Sequence, residues 1–118
     1  MRSDKPNRIV ELTFQFALGI ISITEELNKK GKKVIAHQLI KSGTSIGANI
    51  REAQNAESKA DFIHKMKIAA KETDETIYWL ELMKFSKDYP FEEGLLNQIT
   101  EIEKILSKII STSKKSSK

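Results

Sequence analysis

The sequence predicts an all-α protein, an antiparallel up-down-up-down four-helix bundle that occupies residues 1–110 as a single domain. Apolar residues recur every three or four positions in four successive segments, which is the pattern of amphipathic helices. The chain has 118 residues, the length of one ordinary domain, and only five Gly and two Pro interrupt it. Long helices with short connections fit this composition, and short connections make successive helices antiparallel.

The first helix is predicted over residues 7–30. Pro6 suits a helix start because its missing N–H costs nothing there, and Gly31 supplies the left-handed residue that commonly ends a helix. The main apolar stripe consists of Ile9, Leu12, Phe16, Ile20, Ile23 and Leu27. A second apolar face predicts that this helix contacts two neighbours, or one neighbour and another subunit. That face consists of Phe14, Leu18 and Ile21.

The second helix is predicted over residues 33–55, with an inner stripe of Ile35, Leu39, Ser42, Ile46, Ile50 and Ala53. Gly43 and Gly47 are four residues apart and therefore share one face. Two glycines cost a helix roughly 2 kcal/mol relative to alanine, so we expect close packing against another helix backbone to offset this cost. A kinked or frayed helix is the alternative.

The third and fourth helices are predicted over residues 59–87 and 91–110. Ser58 and Asp61 have the spacing of a capping box at the start of the third helix, and Pro90 disfavours helix in the residue before it. The third stripe consists of Phe62, Met66, Ala69, Thr73, Ile77, Leu80 and Lys84, and the fourth of Phe91, Leu95, Ile99, Ile102, Leu106 and Ile109. Residues 111–118 contain no apolar side chain and are predicted to form a disordered basic tail.

Several functional classes find no support in the sequence. Cysteine is absent, which excludes disulfides, thiolate metal sites and a cysteine nucleophile. No apolar run reaches the roughly 18 residues of a membrane span, so we expect a cytoplasmic protein without a membrane partner. Asp61 and His64 have the spacing of half a di-iron carboxylate motif, but no second copy exists, and a di-metal enzyme is the weakest alternative. We expect no catalytic residues, bound metal or cofactor.

The charge pattern favours a polyanion as partner. The net charge is +4, and basic residues are concentrated in the first half of the chain and at its end. The predicted phosphate-binding residues are Lys29, Lys30, Lys32, Lys33, Lys114, Lys115 and Lys118. In an up-down bundle the third connection, near Lys84 and Lys87, lies at the same end as the first. The few aromatic residues have the positions of core residues, so base stacking is not expected.

A polar set lies beside the stripes of the second and third helices. Asn49, Glu52 and Glu75 predict a half-buried cluster between these helices. Such a cluster more often fixes the register of two helices than performs chemistry.

The segment Ser45–Ala53, which reads SIGANIREA, resembles the signature of a bacterial family of four-helix bundle proteins, and Ser45, Asn49, Glu52 and Glu75 belong to the resemblance. This family includes the intervening-sequence proteins encoded within 23S ribosomal RNA genes, which were once mislabelled as a ribosomal protein. The similarity continues through Asp61–Ala69 and Lys71–Leu80. It implies a homopentamer, no enzymatic activity, and kinship with the accessory variability proteins of diversity-generating retroelements, which bind nucleic acid and a reverse transcriptase.

Taken together, the residues and the resemblance predict a non-enzymatic oligomer, with itself as one partner and RNA or DNA as a second. Sequence-independent nucleic-acid binding by a scaffold or adaptor is the leading interpretation. A module that binds only proteins is the alternative.

Overall fold

The structure is a computed structural model and describes residues 7–115. Within this range the chain forms four α-helices and no strands. Helix α1 spans Arg8–Lys29, α2 spans Lys33–Ala53, α3 spans Lys59–Phe85 and α4 spans Glu93–Lys115. The predicted all-α class is confirmed, and the helices form an elongated body of 51 × 22 × 21 Å. None of the four described helices combines the length and the apolarity that crossing a membrane requires.

Side chains cap the starts of two helices. Asn7 accepts a hydrogen bond from the Val10 N–H at the start of α1, with an N···O distance of 3.4 Å. Ser58 Oγ accepts a hydrogen bond from the Asp61 N–H at 3.0 Å, and Asp61 Oδ2 accepts one from the Glu57 N–H at 3.2 Å. The predicted capping box is therefore present, although the return bond reaches Glu57 instead of Ser58.

The end of α4 corrects the prediction of a tail that is disordered from residue 111. The helix continues through Lys115, so the prediction is wrong for residues 111–115. Ile109 and Ile110 pack against the core. They anchor the helical turn that residues 111–115 continue. No Gly or Pro interrupts those residues, and lysines in the last turn interact favourably with the helix dipole. Pro6 and residues 116–118 lie outside the described residues.

Each helix packs against two others. Contacts join α1 to α2, α2 to α3, α3 to α4 and α4 back to α1, whereas the Cα atoms of diagonal helices stay more than 8 Å apart throughout the described chain. At the start of α1, Asn7 Nδ2 donates to Gln54 Oε1 at 2.8 Å, just beyond the end of α2. The neighbouring Arg8 forms an ion pair with Glu101 of α4. The first turn of α1 is thus tied to both helices that flank it.

The predicted apolar stripes fill most of the core, but in α3 the predicted Lys84 is exposed and Met83 is buried instead. Burial of one large apolar side chain stabilises a fold by roughly 1.5–3 kcal/mol relative to exposure. The largest fully buried side chains are Phe16, Ile20, Ile23, Leu27, Leu39, Ile46, Ile50, Met66, Leu80, Met83, Ile99 and Ile102. One buried hydroxyl pair crosses this core, because Ser42 of α2 and Thr76 of α3 are hydrogen-bonded with an Oγ···Oγ distance of 2.9 Å.

The two glycines of α2 lie against α1. A Cβ atom added at Gly43 would lie 3.0 Å from both Cγ atoms of Ile20. A Cβ at Gly47 would lie 3.3 Å from Thr13 Oγ1 and 3.5 Å from the Thr13 backbone oxygen. The predicted close approach of a neighbouring helix is confirmed, and α2 runs through both glycines without interruption.

Candidate nucleic-acid interface

The connection between α1 and α2 gathers four lysines. Lys29 ends α1, Lys30 and Lys32 flank Gly31, and Lys33 begins α2. Gly31 has a φ of 77°, the left-handed conformation predicted for it, and it allows the chain to turn sharply between the helices. The side chains of Lys29, Lys30 and Lys33 are exposed, and that of Lys32 is half-buried.

Two of these lysines are held by the connection between α3 and α4. Lys30 Nζ donates to the backbone carbonyl of Asp88 at 3.3 Å. Lys32 Nζ lies 4.7 Å from the centroid of the Tyr89 ring, a cation–π contact. These contacts place the two connections together, as predicted. The other two lysines of the turn form no ion pair within residues 7–115, so their ammonium groups remain available to a ligand.

The connection between α3 and α4 adds two further lysines. Lys87 is exposed, and Lys84 Nζ lies 3.5 Å from Glu93 Oε1 in a solvated ion pair. We refer to the six lysines of both connections as the basic end: Lys29, Lys30, Lys32, Lys33, Lys84 and Lys87. The same connection carries the carboxylates of Asp88, Glu92 and Glu93. The basic end therefore keeps an excess of positive charge after its acids are counted.

The lysines at the end of α4 form a separate surface. Lys114 and Lys115 lie in the last turn of α4, and Lys118 lies outside the described residues. Because α4 begins beside the basic end and is 23 residues long, its last turn lies roughly 33 Å farther along the helix axis. Lys67 of α3 lowers the pKa of Lys114, first because it can donate a hydrogen bond to the neutral amine of Lys114 and then because its own positive charge disfavours a second ammonium. The predicted phosphate-binding lysines within residues 7–115 therefore belong to two distant surfaces.

A carboxyl pair joins α3 to α4 but lacks the partners of a metal site. Burial, and then the hydrogen bond and charge of Asp74, raise the pKa of Glu103 above its ordinary value. No group of three His, Asp or Glu suited to a metal ion occurs among residues 7–115. His37 and His64 are exposed, and the carboxylate of Asp61 caps α3. Within this half-motif, Asp61 therefore has a structural use and His64 faces solvent.

Three aromatic residues correct the expectation that the aromatic side chains are core residues. Phe14, Tyr78 and Phe85 are 47%, 56% and 81% exposed. Tyr78 and Phe85, together with Leu82, are spaced at four and three residues on the outer face of α3, opposite the buried Leu80. The spacing of Tyr78, Leu82 and Phe85 is present in the sequence. The buried residues of α3 have the same kind of spacing, so the sequence alone does not show which set faces solvent.

The second apolar face of α1 remains largely uncovered in the single chain. Phe14, Leu18 and Ile21 are each exposed by between 44% and 47%. A groove of about 280 Å³ between α1 and α2 adjoins this face, and Gly47 and Ala48 form part of its wall. The Arg51 guanidinium lies 5.9 Å from the centroid of the Phe14 ring. We refer to Phe14, Leu18 and Ile21 as the α1 apolar face.

Comparison with known sequences assigns the chain to a family. The profile of the 23S rRNA-intervening sequence proteins matches residues 5–108, nearly the whole chain. The chain belongs to the 23S rRNA-intervening sequence protein family. The resemblance carried by Ser45–Ala53 is therefore confirmed. No match is found among curated proteins.

The fold is shared with a solved structure. It is a protein of unknown function from the S23 ribosomal protein family of Bacteroides thetaiotaomicron, and it is 45% identical in sequence. The alignment covers 86% of this chain and 97% of that chain, with a TM-score of 0.81. The 23S rRNA-intervening sequence family is not known as an enzyme family, and these comparisons give no positive sign of catalysis.

The polar residues of the family resemblance bond mainly within their own helices. Ser45 Oγ donates to the Lys41 carbonyl at 2.7 Å, and Asn49 Nδ2 donates to the Ser45 carbonyl at 2.9 Å. Both bonds satisfy a side chain against the preceding turn of α2. The Asn49 side chain is therefore satisfied within its own helix and reaches α3 through no hydrogen bond.

The two glutamates of this set have different partners. Glu52 Oε1 accepts a hydrogen bond from Lys65 Nζ at 2.9 Å, which ties the end of α2 to the start of α3 and raises the pKa of Lys65. Glu75 Oε2 accepts a hydrogen bond from Trp79 Nε1 at 3.2 Å, one turn along α3. Among the described residues, no hydrogen bond joins the side chains of Asn49, Glu52 and Glu75 to one another.

Proposed function

We propose that this protein is a non-enzymatic, oligomeric scaffold of the cytoplasm that binds nucleic acid without sequence preference through the basic end. The observation that carries the proposal is the convergence of two connections on one surface, through the contacts of Lys30 with Asp88 and of Lys32 with Tyr89. Lysines bind phosphates as point charges, which provides affinity without reading bases. The lysines at the end of α4 would make a second, weaker contact.

The proposed arrangement of the helices is antiparallel and up-down-up-down. Contacts between helix ends support it, because Asn7 before α1 bonds to Gln54 after α2, and Lys30 after α1 bonds to Asp88 after α3. In this arrangement the connections of α1 to α2 and of α3 to α4 share one end. The basic end would then be one continuous surface.

We propose that the α1 apolar face is an interface between copies of the chain in a homopentamer. A monomer leaves Phe14, Leu18 and Ile21 half-exposed, and burial of contiguous apolar area favours association. Five copies would carry five times the +4 charge of one chain, or +20. Five basic ends on one particle would bind a long polyanion more tightly than one, because each contact raises the effective concentration of the next.

The decisive experiment compares two variants with the same net charge. The first carries Lys29→Glu, Lys30→Glu, Lys32→Glu and Lys33→Glu. Its matched control carries four Lys→Glu substitutions at exposed positions away from the basic end: Lys41, Lys71, Lys104 and Lys108. Each variant has a formal charge of −4, because four substitutions each subtract two charges from +4. Circular dichroism of both variants checks that the helices are retained.

Binding is measured by fluorescence anisotropy with a ribosomal RNA fragment, the ligand class that the family name suggests first, and with duplex DNA. The wild type should lose affinity steeply with salt, by roughly 0.7–0.9 log units per log unit of salt for each phosphate contacted. The basic-end variant should lose most of its affinity and most of that slope, while the control should retain more of both. Equal losses of affinity in the two variants would mean that net charge alone determines binding, and would refute the proposed site.

A protein-binding module is the second candidate, and the exposed α1 apolar face favours it. Apolar interfaces are insensitive to salt in comparison with phosphate contacts. A wild-type protein without affinity for any nucleic acid at low salt would favour this candidate over the first.

A further inference from the structure

Phe85 is the most exposed large apolar residue among the described residues, with 81% of its surface accessible. It is the last residue of α3, where the chain leaves the helix for the connection to α4. Contact with water is unfavourable for a phenyl ring, and nearby Met83 is fully buried on the inner face of the same helix. The ring is therefore free to be covered by a ligand without any rearrangement of the core.

Two lysines lie near this ring, and one of them, Lys84, also pairs with Glu93. Lys84 Nζ lies 5.6 Å from the centroid of the Phe85 ring. Asp88, whose carbonyl accepts the hydrogen bond from Lys30, follows Phe85 by three residues, a chain span of at most about 11 Å. Lys84 therefore lies against the ring, and Lys30 is held by the connection that follows it. Glu81 and Asp88 are the acidic residues nearest in sequence.

We propose that Phe85 is a stacking platform for an unpaired base, and that the ligand of the basic end is single-stranded nucleic acid. This proposal rests on the proposed function, and it narrows the ligand of the basic end from nucleic acid in general to single strands. A ligand that covers a phenyl ring amid lysines must offer a flat or apolar group and negative charge together. Single strands offer both, because every base has a π-face and every nucleotide has a phosphate. In a duplex the bases are already stacked inside the helix and cannot reach the ring.

Tyr78 provides an internal comparison on the same outer face of α3. It is 56% exposed, and its neighbours one turn away on the helix include three acidic residues, Asp74, Glu75 and Glu81. These carboxylates would repel a phosphate backbone. Phe85 shares only Glu81 of these and has Lys84 against its ring. Exposure of an aromatic ring alone therefore does not define the platform, and Tyr78→Ala is the matched control for substitutions at Phe85.

The experiment uses the full chain and fluorescence anisotropy with labelled homopolymeric RNA of about ten nucleotides, within the site sizes of ~4–16 nucleotides known for single-strand binding folds. A blunt-ended duplex without unpaired bases, compared at the same phosphate concentration, is the second probe. Phe85→Ala and Phe85→Leu should each weaken single-strand binding roughly 5- to 150-fold, the loss expected when one base–aromatic stack is removed. Phe85→Trp should retain wild-type affinity. Duplex binding should change little in all three variants, and Tyr78→Ala should match the wild type with both probes.

The outcomes separate this inference from the proposed function. If the wild type binds neither probe at low salt, the proposed function fails and the inference fails with it. If the wild type binds but Phe85→Ala leaves single-strand affinity unchanged, the proposed function stands and the stacking platform is refuted. Single-strand affinity that Phe85→Leu retains and Phe85→Ala loses would refute stacking in favour of a merely apolar contact. A fall in solution mass with Phe85→Ala would identify the ring as part of a contact between copies and would also overturn the inference.

Discussion

Replacing Gly43 with alanine tests the close packing of α1 against α2. The added methyl group would lie 3.0 Å from Ile20 Cγ1 and Cγ2. Ile20 is fully buried and β-branched, so its side chain cannot rotate away from the new atom. Alanine gains about 1 kcal/mol in helix propensity, whereas overpacking of a core costs about 1–3 kcal/mol. We expect Gly43→Ala to lower the free energy of unfolding by about 1 kcal/mol, although alanine is the better helix former.

Substitutions at Ile20 test whether its two Cγ atoms cause the destabilisation by Gly43→Ala. Ile20→Val keeps both Cγ atoms, so Gly43→Ala should remain destabilising in that background. Ile20→Ala removes both atoms, and in that background Gly43→Ala should become stabilising by up to about 1 kcal/mol. The free energies are measured by urea unfolding at one fixed protein concentration, because an oligomer's stability depends on concentration. A stabilising Gly43→Ala in the wild-type background, or the same effect in all three backgrounds, would refute the packing argument.

Three further predictions concern other contacts. Thr76→Val should destabilise by about 1 kcal/mol in urea unfolding, since it leaves the buried Ser42 hydroxyl without its partner, and adding Ser42→Ala should recover part of that loss. Gly31→Ala should cost roughly 1–2 kcal/mol in the same assay, because alanine is strained at a φ of 77°; an unchanged midpoint would contradict this. The raised pKa of Glu103 means that the folded state holds the proton more tightly, so stability falls as pH rises from the ordinary value of 4.5 through the folded pKa. Glu103→Gln should therefore be more stable than the wild type at neutral pH, with the difference vanishing below pH 4.5; a difference that is constant with pH would contradict the assignment.

The core could be predicted because burial along a helix follows local spacing. Residues such as Phe16, Ile46 and Ile99 lie in three- and four-residue repeats, and each is fully buried. The glycines of α2 could be interpreted for a similar reason, since their cost in helix propensity requires a compensating contact. The end of α4 could not be predicted, because a helix anchored by packing propagates into residues whose own composition favours disorder.

The candidate site was predictable only in part. Charge and connection length sufficed to place Lys30 beside the connection that contains Asp88. The partners of Glu52 and Glu75 could not be predicted, because a residue at the edge of an apolar stripe can face the adjacent helix or its own next turn. Phe85 was missed because it lies two residues from the buried Met83, and only the rotation of α3 within the bundle decides which of the two faces solvent.

The measurement that tests the account most directly is the mass of the protein in solution by light scattering, with and without single-stranded RNA. The account predicts a mass of about 67 kDa, five times the 13.4 kDa of one chain, and an increase when RNA is added at low salt. It also predicts that this increase in mass is lost when glutamate replaces Lys29, Lys30, Lys32 and Lys33. A mass of one chain that RNA leaves unchanged would contradict both the proposed oligomer and the proposed nucleic-acid interface.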